Sequence, residues 1–269
     1  MNIYTPAGWL DAPHIEEVAD RNNISFIVII GKRQIGKTYN VLKLMLDEHK
    51  TFILLRGVKT EMDMLKRNVN SPFEKLKGYE KQIEFVSETE YTANIVKLND
   101  KWIPDEDEDK GTPEESGHYE TEKTTIGMLS ALSCIGRIRG FNGDPYTDIV
   151  YDEFIPEKHE RAIKNEGSAF LNAYETINRN RELKGEPPLQ VLGLANAFNI
   201  ANPVFLELGL VGRCEKMKNN DQELFIDKER GILLVLLQHS NISKAKADTA
   251  LYRLSSGSYK DMALSNDFI

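Results

Sequence analysis

Short apolar runs alternate along this chain with segments whose apolar residues recur at helical spacing. The runs "SFIVII" (25–30) and "TFILLR" (51–56) are almost continuously apolar, as is typical of strands buried on both faces. Between them, Val41, Leu42 and Met45 fall on one face of a predicted helix. Further strands are predicted at 82–88, 93–99, 124–133, 147–154 and 189–198, further helices at 60–69 and 166–183, and a hairpin at 223–238 that turns at 228–231.

This succession of strands and helices predicts an α/β fold with a mainly parallel central sheet flanked by helices. The sequence shows no internal repeat and no linker-like composition before about residue 240. We therefore expect one domain over residues 1–240 and a short C-terminal extension over residues 241–269.

The formal net charge of −8 argues at first against a nucleic-acid partner. The charge is concentrated, however, because residues 105–122 contain nine acids and one lysine and so account for −8 by themselves. This acidic stretch, with its prolines and glycines, is predicted to be a surface loop.

The two cysteines, Cys134 and Cys214, fit no metal-binding pattern and are expected to be reduced thiols.

The sequence also bears on location. No apolar run approaches the roughly 20 residues that span a bilayer, so we expect no membrane partner. The N-terminal residues lack a basic segment followed by an apolar one, so we expect no secretory signal and a cytoplasmic location.

The segment "GKRQIGKT" follows the first predicted strand and opens the first predicted helix, which is the context that a phosphate-binding P-loop requires. Glycines allow successive backbone N–H groups to turn towards phosphate oxygens, and the helix N-terminus favours negative charge. In such a loop the lysine contacts the β- and γ-phosphates, and the threonine hydroxyl ligates Mg²⁺. The predicted nucleotide-binding residues are Gly31, Lys32, Arg33, Gln34, Ile35, Gly36, Lys37 and Thr38. The alternative, a glycine-rich turn without a ligand, is disfavoured by motif and context together.

The predicted strand in "DIVYDEF" (148–154) ends in two acids, Asp152 and Glu153. Asp152 is predicted to hold Mg²⁺ together with Thr38, and Glu153 to act as the general base that activates water. The simpler alternative is an acid pair on the surface at a strand end.

Asn196 ends another predicted strand and either contacts the γ-phosphate or caps the next helix. Because no guanine-selective Asn-Lys-x-Asp element is present, ATP is expected rather than GTP.

Several basic residues are candidates for coupling hydrolysis to DNA. Arg179 and Arg181 lie on or just after the helix that follows the acid pair, where an arginine could reach the γ-phosphate of a neighbouring subunit or simply face solvent. Other basic residues are candidates for DNA phosphates, with ordinary surface charge as the alternative. They are Arg56, Lys59, Lys66, Arg67, Arg137 and Arg139.

The ordered set "GKRQIGKT", "IRGFNGDPYTDIVYDEF", "IPEKHER" and "ETINRNRELKGEPPLQVLGLANAFN" resembles the DNA-packaging ATPases of phi-29-type podophages. The resemblance runs from about residue 25 to about residue 205, and more loosely into the C-terminal tail. It implies the P-loop fold of the additional-strand, RecA-like type that is shared with large terminases and ring translocases. It also implies an ATPase that drives double-stranded DNA into a procapsid as a ring, with a pentamer expected. The ring would sit at the portal, with a structural RNA in some members, in the host cytoplasm and not in the mature virion.

Residue by residue, the resemblance makes Lys37 and Thr38 the Walker A residues and Asp152 and Glu153 the Walker B pair. Lys158 resembles a basic residue that acts across a subunit boundary. Either Arg179 or Arg181 resembles the trans-acting arginine finger, and Arg56 with the lysines after it lies where loops facing the DNA channel are expected.

One departure and three rival functions remain. Members of the family usually continue into an RNase H-like domain, but no acid constellation of that kind follows residue 205. The resemblance therefore supports neither a nuclease activity nor contacts with portal or RNA that depend on that domain. A helicase or conjugation-type pump would share every site residue. A non-hydrolysing P-loop scaffold would not need the complete set of Walker residues. A nucleotide kinase should carry an arginine-rich lid, whereas the long loop here is acidic.

Overall fold

The computed structural model describes residues 2–68, 71–104, 117–135, 142–155, 163, 165–196 and 202–242. The strands of this part are β1 (Phe26–Gly31), β2 (Phe52–Arg56), β3 (Ile83–Ser87), β4 (Thr92–Pro104), β5 (Gly117–Ala131), β6 (Asp148–Asp152), β7 (Gln190–Asn196), β8 (Leu224–Asp227) and β9 (Ile232–Leu237). The helices are α1 (Ala12–Arg21), α2 (Lys37–Asp47), α3 (Lys59–Lys66), α4 (Leu132–Ile135), α5 (Glu166–Asn178), α6 (Pro203–Glu207) and α7 (Val211–Asn219). None of these helices has both the length and the apolar character needed to cross a membrane.

All the strands belong to one sheet in the order β3-β4-β5-β2-β6-β7-β1-β9-β8. The six strands from β5 to β9 in this order pair in parallel, and antiparallel strands complete both edges. The predicted mainly parallel α/β sheet is therefore confirmed. Because the central strands are parallel, the carboxyl ends of β1, β2, β6 and β7 lie along the same edge of the sheet, where ligands bind in open α/β folds.

The apolar runs form strands because both faces of the sheet are covered. In β1, Ile27 and Ile29 pack into the core on one face, and Val28 and Ile30 pack into the core on the other. All four are buried, and each such side chain stabilises the fold by roughly 1.5–3 kcal/mol when withdrawn from water. This double burial explains why β1 reads as a continuous apolar run and not as an alternating one.

The structure corrects the predicted boundaries of the acidic loop. Strands β4 and β5 form a long antiparallel arm that continues as far as the pair Pro104↔Gly117, so residues 117–122 are strand and not loop. The outer part of the arm is exposed on both faces, and its sequence lacks the apolar alternation that marks a half-buried strand. Its exposed Trp102 and Tyr119 rings contact each other across the two strands, 5.0 Å apart. Residues 105–116 of the predicted loop lie outside the described residues.

Other corrections concern helices. Helices α1, α4, α6 and α7 were not predicted, and α4 begins at Leu132, inside the predicted strand 124–133. Asp11 and Asn202 cap α1 and α6 through their side chains. The predicted helix 166–183 ends early, because Arg179 and Asn180 adopt left-handed backbone angles, and a 3₁₀ turn over Arg181–Lys184 follows.

Candidate nucleotide-binding site

The predicted P-loop connects β1 to α2, and its two glycines are required sterically. Gly36 is the N-cap of α2 with a φ of 79°, in the left-handed region that favours glycine. A side chain on Gly31 would place its Cβ 2.6 Å from Ile35 Cδ1 and 2.7 Å from Leu237 Cβ. Ile35 is fully buried and anchors the loop, while Arg33 and Gln34 are exposed beside it.

Lys37 lies in the first turn of α2 and is buried, with its amine turned back over the loop. Its Nζ donates to the carbonyl oxygens of Gly31 at 2.9 Å and Lys32 at 2.8 Å. It also donates to Asn196 Oδ1 at 3.1 Å, from the end of β7. Asn196 pairs with Gly31 in the sheet, so the strand register brings this amide to the mouth of the P-loop.

Thr38 and Asp152 form the second element of the site. The Thr38 hydroxyl donates to Asp152 Oδ1 at 2.8 Å, from α2 to the end of β6. Burial raises the pKa of the Asp152 carboxyl, and the positive charge of Arg56 opposes this rise. A hydroxyl and a carboxylate are the hard oxygen donors that Mg²⁺ prefers, and a divalent cation would offset the cost of burying the acid. These two residues therefore fit a magnesium site.

Glu153 follows β6 directly and has a φ of 55°, which is uncommon for a residue with a side chain. The next residue, Phe154, returns to the core and donates its backbone N–H to the Leu194 carbonyl. The left-handed turn thus leaves the Glu153 carboxylate half-exposed at the cleft between two buried neighbours. Such strain in a non-glycine residue is frequent at functional sites.

These elements enclose a cleft of about 440 Å³. The cleft is lined by Arg33, Gln34, Gly36, Lys37, Thr38, Tyr39, Asp152, Glu153, Leu194, Ala195 and Asn196. The P-loop, the acid pair and Asn196 come from sequence segments far apart, and the parallel sheet brings all of them to one edge.

Arg56 is also in this site, and not on a surface loop facing a DNA channel as predicted. Its Nη1 lies 2.7 Å from Asp152 Oδ2, its Nη2 lies 2.5 Å from Glu153 Oε2, and its Nε lies 3.5 Å from Glu61 Oε2. The side chain is only 15% exposed. The reason is the strand order: β2 pairs with β6, so the residue that ends β2 lies beside the residues that end β6.

The other described DNA candidates lie on or next to α3. Lys59 contacts Asp63 at 2.8 Å, and the Lys66 amine donates to the carbonyls of Thr89 and Glu90. Arg67 is exposed at the end of the helix. The candidates Arg137, Arg139 and Lys158 lie outside the described residues.

The two candidate finger arginines have different environments. Arg181 is buried, and its Nη2 donates to the carbonyls of Gly143 at 2.8 Å and Tyr146 at 2.7 Å within its own chain. This placement disagrees with a trans-acting role for Arg181, because its guanidinium is held in the interior. Arg179 is exposed at the end of α5, where a neighbouring molecule could be reached.

Comparison with known proteins assigns the chain to a family. The sequence model of the podovirus DNA encapsidation protein (Gp16) family matches residues 132–269, which is 138 of the 269 residues. The chain belongs to this family. The DNA packaging protein of Bacillus phage phi29 is 35% identical over 123 residues, 45% of this chain and 33% of the relative. That of Bacillus phage B103 is 25% identical over 250 residues, 90% of this chain and 63% of the relative. The chain therefore matches less than two thirds of the length of these curated relatives.

Solved structures similar to this encapsidation-family chain share its fold. The Phi-28 gp11 DNA packaging motor matches with a TM-score of 0.61 and 20% identity, covering 93% of this chain and 66% of that one. The N-terminal domain of the DNA packaging ATPase from bacteriophage phi29 matches with a TM-score of 0.54 and 21% identity, covering 87% of this chain and 95% of that domain. The predicted P-loop fold, with its mainly parallel sheet, and the predicted family are both confirmed.

We expect Arg179 and Arg181 of this encapsidation-family chain to differ in their contribution to stability. Replacing Arg181 by alanine removes a charged donor from buried carbonyls and should lower the free energy of unfolding by about 2–4 kcal/mol. Replacing Arg179 by alanine should change it by less than about 0.5 kcal/mol, since the side chain is exposed. Urea denaturation of both variants measures the difference. Equal midpoints for Arg181→Ala and the wild type would show that the carbonyl contacts do not stabilise the fold.

Proposed function

We propose that this chain is the ATPase part of a viral DNA-packaging motor, which hydrolyses ATP with Mg²⁺ and drives double-stranded DNA into a procapsid. The observation that carries this proposal is the convergence of Lys37, Thr38, Asp152 and Glu153 on one cleft in a member of the DNA encapsidation family. The matched relatives from Bacillus phages are DNA packaging proteins, which supports the same role here.

In the proposed reaction, the P-loop amides and Lys37 bind the phosphate chain, and Asn196 lies beside the lysine amine at the γ-phosphate end. Thr38 and Asp152 would hold Mg²⁺, which would supply positive charge to offset that of the phosphate chain. Glu153 accepts a proton from the attacking water as general base. Arg56 Nη2 lies 2.5 Å from Glu153 Oε2, so this contact must open before that oxygen can receive the proton of the water.

Coupling to DNA requires other copies of the chain. We propose that Arg179 is the arginine offered to the neighbouring subunit's nucleotide, since it is exposed whereas Arg181 is buried. A ring, with a pentamer expected, would act on the procapsid at the portal in the infected host cell, with a structural RNA as a further candidate partner. Lys59, Lys66 and Arg67 remain candidates for contacts to DNA phosphates. Lys158, Arg137 and Arg139 remain candidates from the sequence alone.

The choice between a packaging motor and a helicase is tested by the substrate that the protein moves along. With ATP, a packaging motor should displace a third strand bound to intact duplex DNA and should not separate the strands of a forked duplex. Glu153→Gln protein is the control for ATP-dependent movement. Strand separation on the fork without displacement of the third strand would contradict the proposal and favour a helicase.

A further inference from the structure

Trp9 lies against the P-loop, although it is 22 residues before the motif in sequence. A Cβ placed on Gly36 would lie 3.2 Å from Trp9 Cε3, which is close contact with the backbone of the loop. The neighbouring Leu10 donates its backbone N–H to the Ile35 carbonyl at 3.2 Å, so the two loops are joined. The residue Trp9 is nevertheless 42% exposed. A large aromatic side chain is thus accessible to solvent beside a phosphate-binding loop.

The geometry of the site fixes which end of a nucleotide would reach this indole. Thr38 with Asp152, and Lys37 with Asn196, mark the γ-phosphate end, on the side of β1 where β7 and β6 lie. The base must therefore extend to the other side of the P-loop. The neighbour of β1 on that side is β9, whose Leu237 pairs with Gly31.

The N-terminal loop that carries Trp9 lies next to the residues that follow β9. Ser240 is buried and its hydroxyl donates to the Gly8 carbonyl at 2.7 Å. Gly8 has a φ of 86°, and a Cβ placed there would lie 3.4 Å from Asn241 Cβ. The exposed Asn241 therefore borders the same region as Trp9.

The Trp9 loop is held rigidly before any ligand arrives. The Thr5 N–H donates to the Trp9 carbonyl at 2.8 Å, and the Gly8 N–H donates to the Thr5 carbonyl at 2.8 Å. The Trp9 N–H donates to the Thr5 hydroxyl at 3.2 Å. A preorganised aromatic surface loses little conformational entropy on binding, which favours affinity.

We propose that Trp9 is the platform on which the adenine base of ATP stacks, so that it supplies the base-dependent share of nucleotide affinity. This inference rests on the proposed function, because it assigns the base end of the same nucleotide site. Stacking uses the π-face that every base has, so the platform favours nucleotides over bare phosphate chains and does not by itself select adenine over guanine. Loss of one stacked base contact typically weakens binding by about tenfold to a hundredfold.

The test compares ADP with inorganic pyrophosphate, each with Mg²⁺, by titration calorimetry on the full chain. Trp9→Ala should weaken ADP binding by about tenfold to a hundredfold and leave pyrophosphate binding within about twofold, while Trp9→Phe should retain most of the ADP affinity. The chain has only one other tryptophan, Trp102, on the arm formed by β4 and β5. Trp102→Phe is therefore the matched control and should bind both ligands as the wild type does.

Tryptophan emission gives a second readout. ADP should quench the emission of Trp102→Phe, in which Trp9 is the remaining tryptophan, and should leave the emission of Trp9→Phe unchanged. Unchanged ADP affinity in Trp9→Ala, or equal losses of ADP and pyrophosphate binding, would overturn the assignment, since the latter indicates a distorted P-loop. Binding of neither ligand by the wild type would instead overturn the nucleotide function itself, and the inference with it.

Discussion

Replacing Glu153 by glutamine is expected to lower ATP turnover by at least about 100-fold, because an amide cannot accept the proton of the attacking water. Glutamine has nearly the same shape as glutamate, and Glu153 lies at the end of the cleft and not within the P-loop. Nucleotide affinity should therefore stay within about threefold of the wild-type value. Steady-state hydrolysis, together with ADP titration, measures the two effects separately.

The matched control for this prediction is Glu175→Gln, at an exposed position on α5. It removes the same charge and should leave turnover unchanged. Undiminished hydrolysis by Glu153→Gln would mean that another group activates the water. Absent hydrolysis in the wild type, with nucleotide binding intact, would turn the interpretation towards a P-loop scaffold.

Replacing Arg56 by alanine is expected to lower the free energy of unfolding of the nucleotide-free protein by about 3 kcal/mol, because it leaves a buried acid without its cationic partner. Arg56 and Asp152 are 15% and 7% exposed, so solvent screens their attraction only weakly. Without Arg56, the negative charge of Glu153 would also repel that of Asp152. Urea denaturation at neutral pH measures the loss.

Addition of Mg²⁺ and ADP should reduce the difference in the free energy of unfolding between Arg56→Ala and the wild type. The reason is that a cation at Thr38 and Asp152 replaces part of the missing positive charge. Arg21→Ala is the matched control, because Arg21 forms an exposed ion pair with Glu17 on α1 and should cost less than about 1 kcal/mol. Equal stability of Arg56→Ala and wild type would show that Arg56 does not compensate the buried acid.

The parts of the site that could be predicted from sequence are those whose context is local. The P-loop carries its strand, its glycines and its helix within one short segment, and the acids Asp152 and Glu153 end a recognisable buried strand. The P-loop and the two acids lie close together because parallel strands place their carboxyl ends at the same edge of the sheet. For the same reason Asn196, which was predicted either to contact the γ-phosphate or to cap a helix, lies beside Lys37.

Arg56 and Trp9 could not be placed by the same reasoning. Assigning Arg56 requires the strand order, in which β2 lies next to β6, and strand order is a property of long-range pairing. Trp9 belongs to a loop that is fixed by hydrogen bonds to its own backbone and by a contact with Ser240, far along the chain. Neither relation leaves a periodic signal in the sequence.

The inner parts of β4 and β5 were predicted, but the outer part of the arm, over residues 100–104 and 117–123, was missed for a different physical reason. The strands of this outer part are stabilised by mutual backbone pairing as far as Pro104↔Gly117, while the side chains of residues 100–102 and 118–123 are exposed. Without a buried face there is no alternation of apolar and polar residues, so an exposed arm and a loop look alike in sequence.

The most direct test of a DNA-driven ATPase is steady-state ATP hydrolysis by the wild-type chain with and without blunt-ended duplex DNA at low salt. A DNA-packaging ATPase should turn over ATP faster when duplex is added, and the increase should fade as salt screens contacts to phosphates. Turnover that duplex DNA leaves unchanged at low salt would contradict the coupling of this site to DNA.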